Sequence, residues 1–264
     1  MNPEAVLSEL NDAVARLEQF PAWLNDQIQE VVRRVNSLLE AVPFWAEAII
    51  DEILDQARQL LQRISELARR LVSWLQEEVF PGMQGPFTIY STGSDWTTSV
   101  YSTVTDVAGQ VQLSQTRVDD FWSGPAATAY AQEIPAQRAA ADKVAEIVSK
   151  LRETLHGLAL SLGAVYIAIA AALVVAAVEI AGGAAAVASI LGIPPGLVSI
   201  VVGLATAVGG TAAIYATGKE LVSGTLTRLG ELSEARYDGR AFENGAWPRA
   251  TSGIGNPADW APAG

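Results

Sequence analysis

The fold turns on two stretches, "LALSLGAVYIAIAAALVVAAV" (158–178) and "LVSIVVGLATAVGGTAAIYAT" (197–217), each 21 residues without a formal charge. As helices, at about 1.5 Å per residue, each reaches roughly 32 Å, close to a bilayer's hydrocarbon core of about 30 Å. The connection between them is rich in small residues, and Pro194-Pro195-Gly196 reads as its turn. Small residues recur at four-residue steps, as Ala168, Ala172 and Ala176 in the first stretch and Gly203, Ala207 and Thr211 in the second. Such rows let two helix backbones approach closely in lipid. The sequence therefore predicts an apolar, membrane-inserting hairpin over 158–217. A buried hairpin of a soluble bundle is the plainer reading, since Ala-rich helices also pack tightly in water.

From 157 to 218 the single charged residue is Glu179. It falls at the distal end of the first stretch, so tip-first insertion carries it into or across the bilayer. An ionised carboxylate there costs several kcal/mol, and protonation removes most of that cost. Lys143, Lys150, Arg152, Lys219 and Arg228 flank the stretches on the terminal side, and the connection holds no Lys or Arg. A two-span protein with both termini in the cytoplasm has that layout, and so does a hairpin whose tip must cross a membrane.

Upstream, Val100, Val104, Val107, Val111, Val118 and Phe121 alternate by threes and fours, and Tyr130, Ile134, Ala141, Val144, Val148, Leu151, Leu155 and Leu158 resume the stripe. Two striped helices joined by a few residues fold back antiparallel. Gly124 permits the reversal and Pro125 restarts a helix. Pro135 lies inside the second arm and predicts a kink or a delayed start. Residues 80–96, with two Pro and three Gly, read as a linker, and Ser94 or Asp95 as the cap of the helix after it.

Residues 4–80 read as amphipathic helices, with seven Arg against fourteen Asp and Glu and no Gly. Pro21-x-Trp23 and Pro43-x-Trp45 begin a 22-residue repeat that resembles the lipid-surface segments of apolipoproteins. A helical bundle that turns at proline is the plainer alternative. Altogether the sequence divides into an amphipathic region (1–80), a linker (81–94), a helical hairpin (95–157), the apolar hairpin (158–217), a return helix (218–234) and a flexible tail (235–264).

The 264 residues carry a formal charge of −12. With no basic patch, binding to nucleic acid is excluded as an expectation. There is no Cys, and the one histidine, His156, has no second His or Cys to join it. No catalytic group, metal site or cofactor is expected, and the chain reads as no enzyme. Gly218-Lys219 looks like the end of a phosphate loop, but the upstream Gly is missing and Glu220 stands where Ser or Thr is needed. The start, "MNPEAVLSEL", has acidic residues where a secretory signal needs basic ones.

Trp122-Ser123-Gly124 between two striped helices, continued as "WSGPAATAY" to Tyr130, resembles the WxG family of type VII secretion substrates. The likeness covers about residues 95–157. It implies export in a folded state, usually as a dimer, from a Gram-positive, actinobacterial cell, with Trp122, Gly124, Pro125 and Tyr130 forming the turn and partner surface. That family's export signal, Tyr followed four positions later by an acid, is missing at every tyrosine. Export then needs a WxG-type partner that carries the signal, or does not occur. A helical stalk bearing an apolar hairpin is also similar in plan to helical pore-forming toxins. The sequence thus points to an all-α, secreted or membrane-associated protein acting on membrane lipid as a homo- or hetero-oligomer. A resident two-span membrane protein and a soluble self-assembling protein are the alternatives.

Overall fold

In the computed structural model, residues 2–40, 47–116, 120, 122–235, 241–242, 245–248 and 261–262 are described. The protein is all-α. Its helices are α1 (Pro3–Glu40), α2 (Glu47–Trp74), α3 (Gly85–Asp95), α4 (Ser102–Gln110), α5 (Leu113–Thr116), α6 (Pro125–Ala186) and α7 (Ile193–Glu234). Beyond these, Trp122–Ser123 (β1) pair antiparallel with Ala261–Pro262 (β2). The chain forms two compact units, 1–87 with 160–221 and 88–159 with 222–264.

The first unit holds the main core. Leu10, Leu17, Leu24, Val31 and Val35 of α1 and Ile64, Leu71 and Leu75 of α2 and the turn after it are buried there. With them lie Ile169, Leu173, Ala176 and Ile180 of α6 and Leu197, Ile200, Leu204 and Ala207 of α7. Every burial on α1 falls on one stripe, because apolar residues recur at helical spacing while the charges fall between them. Pro21 sits inside α1 without breaking it. Residues 1–80 are therefore no separate region: their apolar faces share one core with the apolar hairpin.

The segment expected to be a linker is helical from Gly85 to Asp95 and continues through a π-helical turn, Trp96–Tyr101, into α4. No helix starts at Ser94 or Asp95; the Ser94 hydroxyl donates to the Tyr90 carbonyl instead. Pro135 causes neither a break nor a delayed start, since α6 runs unbroken from Pro125. The expected first arm of the second unit's hairpin is interrupted at Val111, which leaves helical geometry at φ −79°, ψ 67°. Val118, Phe121, Pro43 and Trp45 lie outside the described residues, as does most of the tail.

The apolar hairpin closes earlier than expected. Helix α6 ends at Ala186, a 3-10 turn spans Ile190–Gly192, and Pro194 and Pro195 stand in the first turn of α7. Proline is tolerated there because the first helical N–H groups have no partner to lose. The Pro-Pro pair starts a helix rather than making the turn, and the return segment 218–234 is the same helix.

Close to this turn the two helices touch through glycine. A Cβ on Gly196 would lie 2.7 Å from the Gly183 carbonyl oxygen and 2.7 Å from Cγ2 of Val187. One on Gly183 would lie 2.7 Å from the Gly196 carbonyl oxygen. Backbone on both sides cannot yield, so Gly196→Ala forces the helices apart, an overpacking cost of about 1–3 kcal/mol. Gly209, with nothing within 4 Å of its Cβ position, is the control. Gly209→Ala gains up to about 1 kcal/mol from helix propensity. The denaturant midpoint should fall for the first and hold or rise for the second; two equal shifts would refute the contact.

Candidate membrane-insertion site

Helices α6 and α7 each contain a window long and apolar enough to cross a membrane, by length and composition. About three fifths of the α6 window lies outside the core, since 39% of it is buried. The exposed part is apolar: Val175 is 57% exposed and Val178 69% on α6, and Val202 is 52% exposed on α7. Leu191 in the turn is 79% exposed. Large aliphatic side chains in contiguous stripes are what a soluble surface normally avoids.

The opposite side of the hairpin is covered by α1 and α2. A Cβ on Gly163 would lie 3.8 Å from Cγ1 of Val6 and 3.5 Å from Cδ2 of Leu10. Towards the turn, Arg34 donates from Nη1 to the Ala184 carbonyl at 3.3 Å. Helix α1 thus runs parallel to α6 from residue 163 to 184. Ala184 is among the last four carbonyls of α6, which have no partner within the helix, so Arg34 caps that end. Glu30 holds the guanidinium in place, accepting from Arg34 Nε at 2.8 Å and pairing with Arg33 at 2.7 Å. The Arg34 hydrogen bond, then the Arg33 charge, keep the Glu30 carboxyl below the usual range.

A second fastening joins the end of α2 to α7. The Tyr215 hydroxyl donates to the Glu78 carbonyl at 2.8 Å, and Lys219 Nζ donates to the Glu78 carboxylate at 3.1 Å. Trp74 meets the Tyr215 ring edge-on, with centroids 5.6 Å apart. The Glu78 carboxylate raises the Lys219 pKa, chiefly through the hydrogen bond. Residues far apart in sequence build both fastenings, and no local pattern announces either.

Of the small residues expected at the helix contact, Ala176, Gly203, Ala207 and Thr211 are buried, while Ala168 and Ala172 are half-buried. Gly196 is buried against Gly183, Pro194 is half-buried and Pro195 exposed. Glu179 lies between the hairpin helices, seven residues before α6 ends, where a Cβ on Gly203 would be 3.0 Å from its own Cβ. Its Oε2 is buried with no hydrogen-bond partner. So the carboxylate sits inside the hairpin rather than at its end.

In the second unit Gly124 has φ 95°, a backbone conformation that favours glycine, and α6 begins at Pro125. Ala127, Ile134, Tyr130 and Val111 form a small apolar cluster beside it. The backbone of Trp122 is half of the two-residue pairing with the C-terminal tail. His156 is held by packing: Tyr90 stacks on its ring at 4.2 Å, and the Ser94 hydroxyl lies 3.3 Å from Nε2. Among the described residues no three His, Cys, Asp or Glu side chains come together in a way that could hold a metal.

Compared with known protein families, curated proteins and solved structures, the chain matches none.

Proposed function

We propose that this chain is a non-enzymatic, membrane-active protein that inserts its apolar hairpin into lipid and permeabilises it. The observation that carries this reading is the one-sided cover of the hairpin. One side is clad by α1, whose outer face bears Asp12, Arg16, Glu18 and Asp26, all exposed. The other side presents bare valines. Placing those four charges at the bilayer centre with the hairpin would cost about 10 kcal/mol, at about 2.5 kcal/mol each. The clad hairpin is consequently a form for water, and it spans lipid only after α1 leaves. A resident two-span protein gains support from the flanking Lys and Arg, but its spans would have no use for a charged cover.

Export by a type VII-like route, from a Gram-positive actinobacterial cell and with a WxG-type partner that carries the signal, belongs to the same proposal. Its support is the likeness of Trp122-Ser123-Gly124, and the positive φ of Gly124 agrees with a reversal there.

Val175→Asp tests the insertion step. Val175 is exposed already, so the change should leave the melting temperature unaltered in water. In lipid a carboxylate eleven residues before the end of α6 at Ala186, about 16 Å deep at 1.5 Å per residue, costs about 2.5–3.5 kcal/mol, roughly a hundredfold in rate. Wild type should release dye from phosphatidylcholine vesicles and Val175→Asp should do so roughly a hundredfold more slowly. Equal release by both proteins would end the reading. A wild-type oligomer that never touches vesicles, and that Val175→Asp dissociates, would replace it with soluble self-assembly.

A further inference from the structure

We infer that α1 and α2 are themselves lipid-binding helices, and that they exchange the hairpin for a zwitterionic bilayer surface when the hairpin inserts. This rests on the insertion proposed above and adds the destination of the cover. The apolar faces of α1 and α2 share one core with α6 and α7: Leu10, Leu17, Leu24 and Val31 on one helix and Ile64 and Leu71 on the other are buried there. Insertion strips these faces. Left in water they would expose two long aliphatic stripes, which the hydrophobic effect opposes in proportion to area.

The bilayer surface formed by the same event is the nearest apolar phase, and the helices have the right construction for it. Each has one apolar stripe and an opposite charged face, so each can lie in the interface with its charges in water. Neither could enter the hydrocarbon core. Their charge selects the surface. Between residues 3 and 40 there are seven acids and three Arg, and between 47 and 74 five acids and four Arg. A net negative cover is repelled by anionic headgroups and accepted by phosphatidylcholine. The fastening at Arg34 is one hydrogen bond and that at Glu78 two, so nothing covalent prevents the exchange.

The chain has no cysteine, so single cysteines can carry an environment-sensitive fluorophore on the full-length protein. Ile28→Cys and Leu61→Cys report the cover at half-buried positions that spare the core, and Val175→Cys reports the hairpin. Phosphatidylcholine vesicles are prepared with a nitroxide quencher at a shallow or a deep acyl position. Under conditions of dye release, all three probes should lose most of their emission. Those at 28 and 61 should respond more to the shallow quencher and the one at 175 more to the deep one. Quenching at 175 with probes 28 and 61 open to aqueous iodide overturns the inference and leaves the insertion reading standing. No quenching at 175 overturns both, whatever the probes on the cover do.

Discussion

A disulfide between Val6→Cys and Gly163→Cys is expected to abolish vesicle leakage, and reduction to restore it. The Cβ position of Gly163 lies 3.8 Å from Cγ1 of Val6, so the two side chains face each other in contact, as a disulfide between these positions requires. With no native cysteine the bridge has no competing partner. A linked α1 must accompany α6 into the bilayer, and four of its charges alone add about 10 kcal/mol to that state. That is about seven powers of ten in rate, so oxidised protein should show background release only. Each single-cysteine variant should leak like wild type. The result that would sink the exclusive choice between cover and membrane is equal leakage before and after reduction.

Much of this arrangement was legible in the sequence because it repeats locally. The charge-free windows at 158–178 and 197–217, the helical periodicity before them and the row Gly203, Ala207 and Thr211 each concern residues within a few turns of one another. The all-α class and the apolar hairpin follow from such local patterns. What escaped was tertiary. An amphipathic stripe such as Leu10, Leu17, Leu24 and Val31 announces that something covers it, but lipid, a sister helix and the apolar hairpin satisfy the stripe equally well. Pro194-Pro195-Gly196 reads as a turn from its composition, yet proline at a helix start loses no hydrogen bond, and the turn moves to 187–192. The Gly183–Gly196 contact straddles that turn, so no periodic spacing marks either residue. The fastening at Glu78 joins positions 137 and 141 residues apart, beyond any motif.

Glu179→Gln is expected to raise the leakage rate at neutral pH by tens- to hundredfold. The structure gives the carboxylate a worse position than the end of a span: it faces Gly203 from within the hairpin, and Oε2 has no hydrogen-bond partner. Seven residues separate it from the last residue of α6, so tip-first insertion pushes it about 10 Å behind the leading edge, at 1.5 Å per residue. The insertion intermediate must therefore carry it through the hydrocarbon. Ionised, it costs about 2.5–3.5 kcal/mol there, and a neutral side chain of the same shape avoids most of that cost. No other charged residue lies between 157 and 218, so within the hairpin the effect belongs to this group alone. Dye release from phosphatidylcholine vesicles at neutral pH decides the matter. Equal rates for the two proteins would mean that the carboxylate never enters lipid as an ion, and that the hairpin crosses by a route that leaves residue 179 in water.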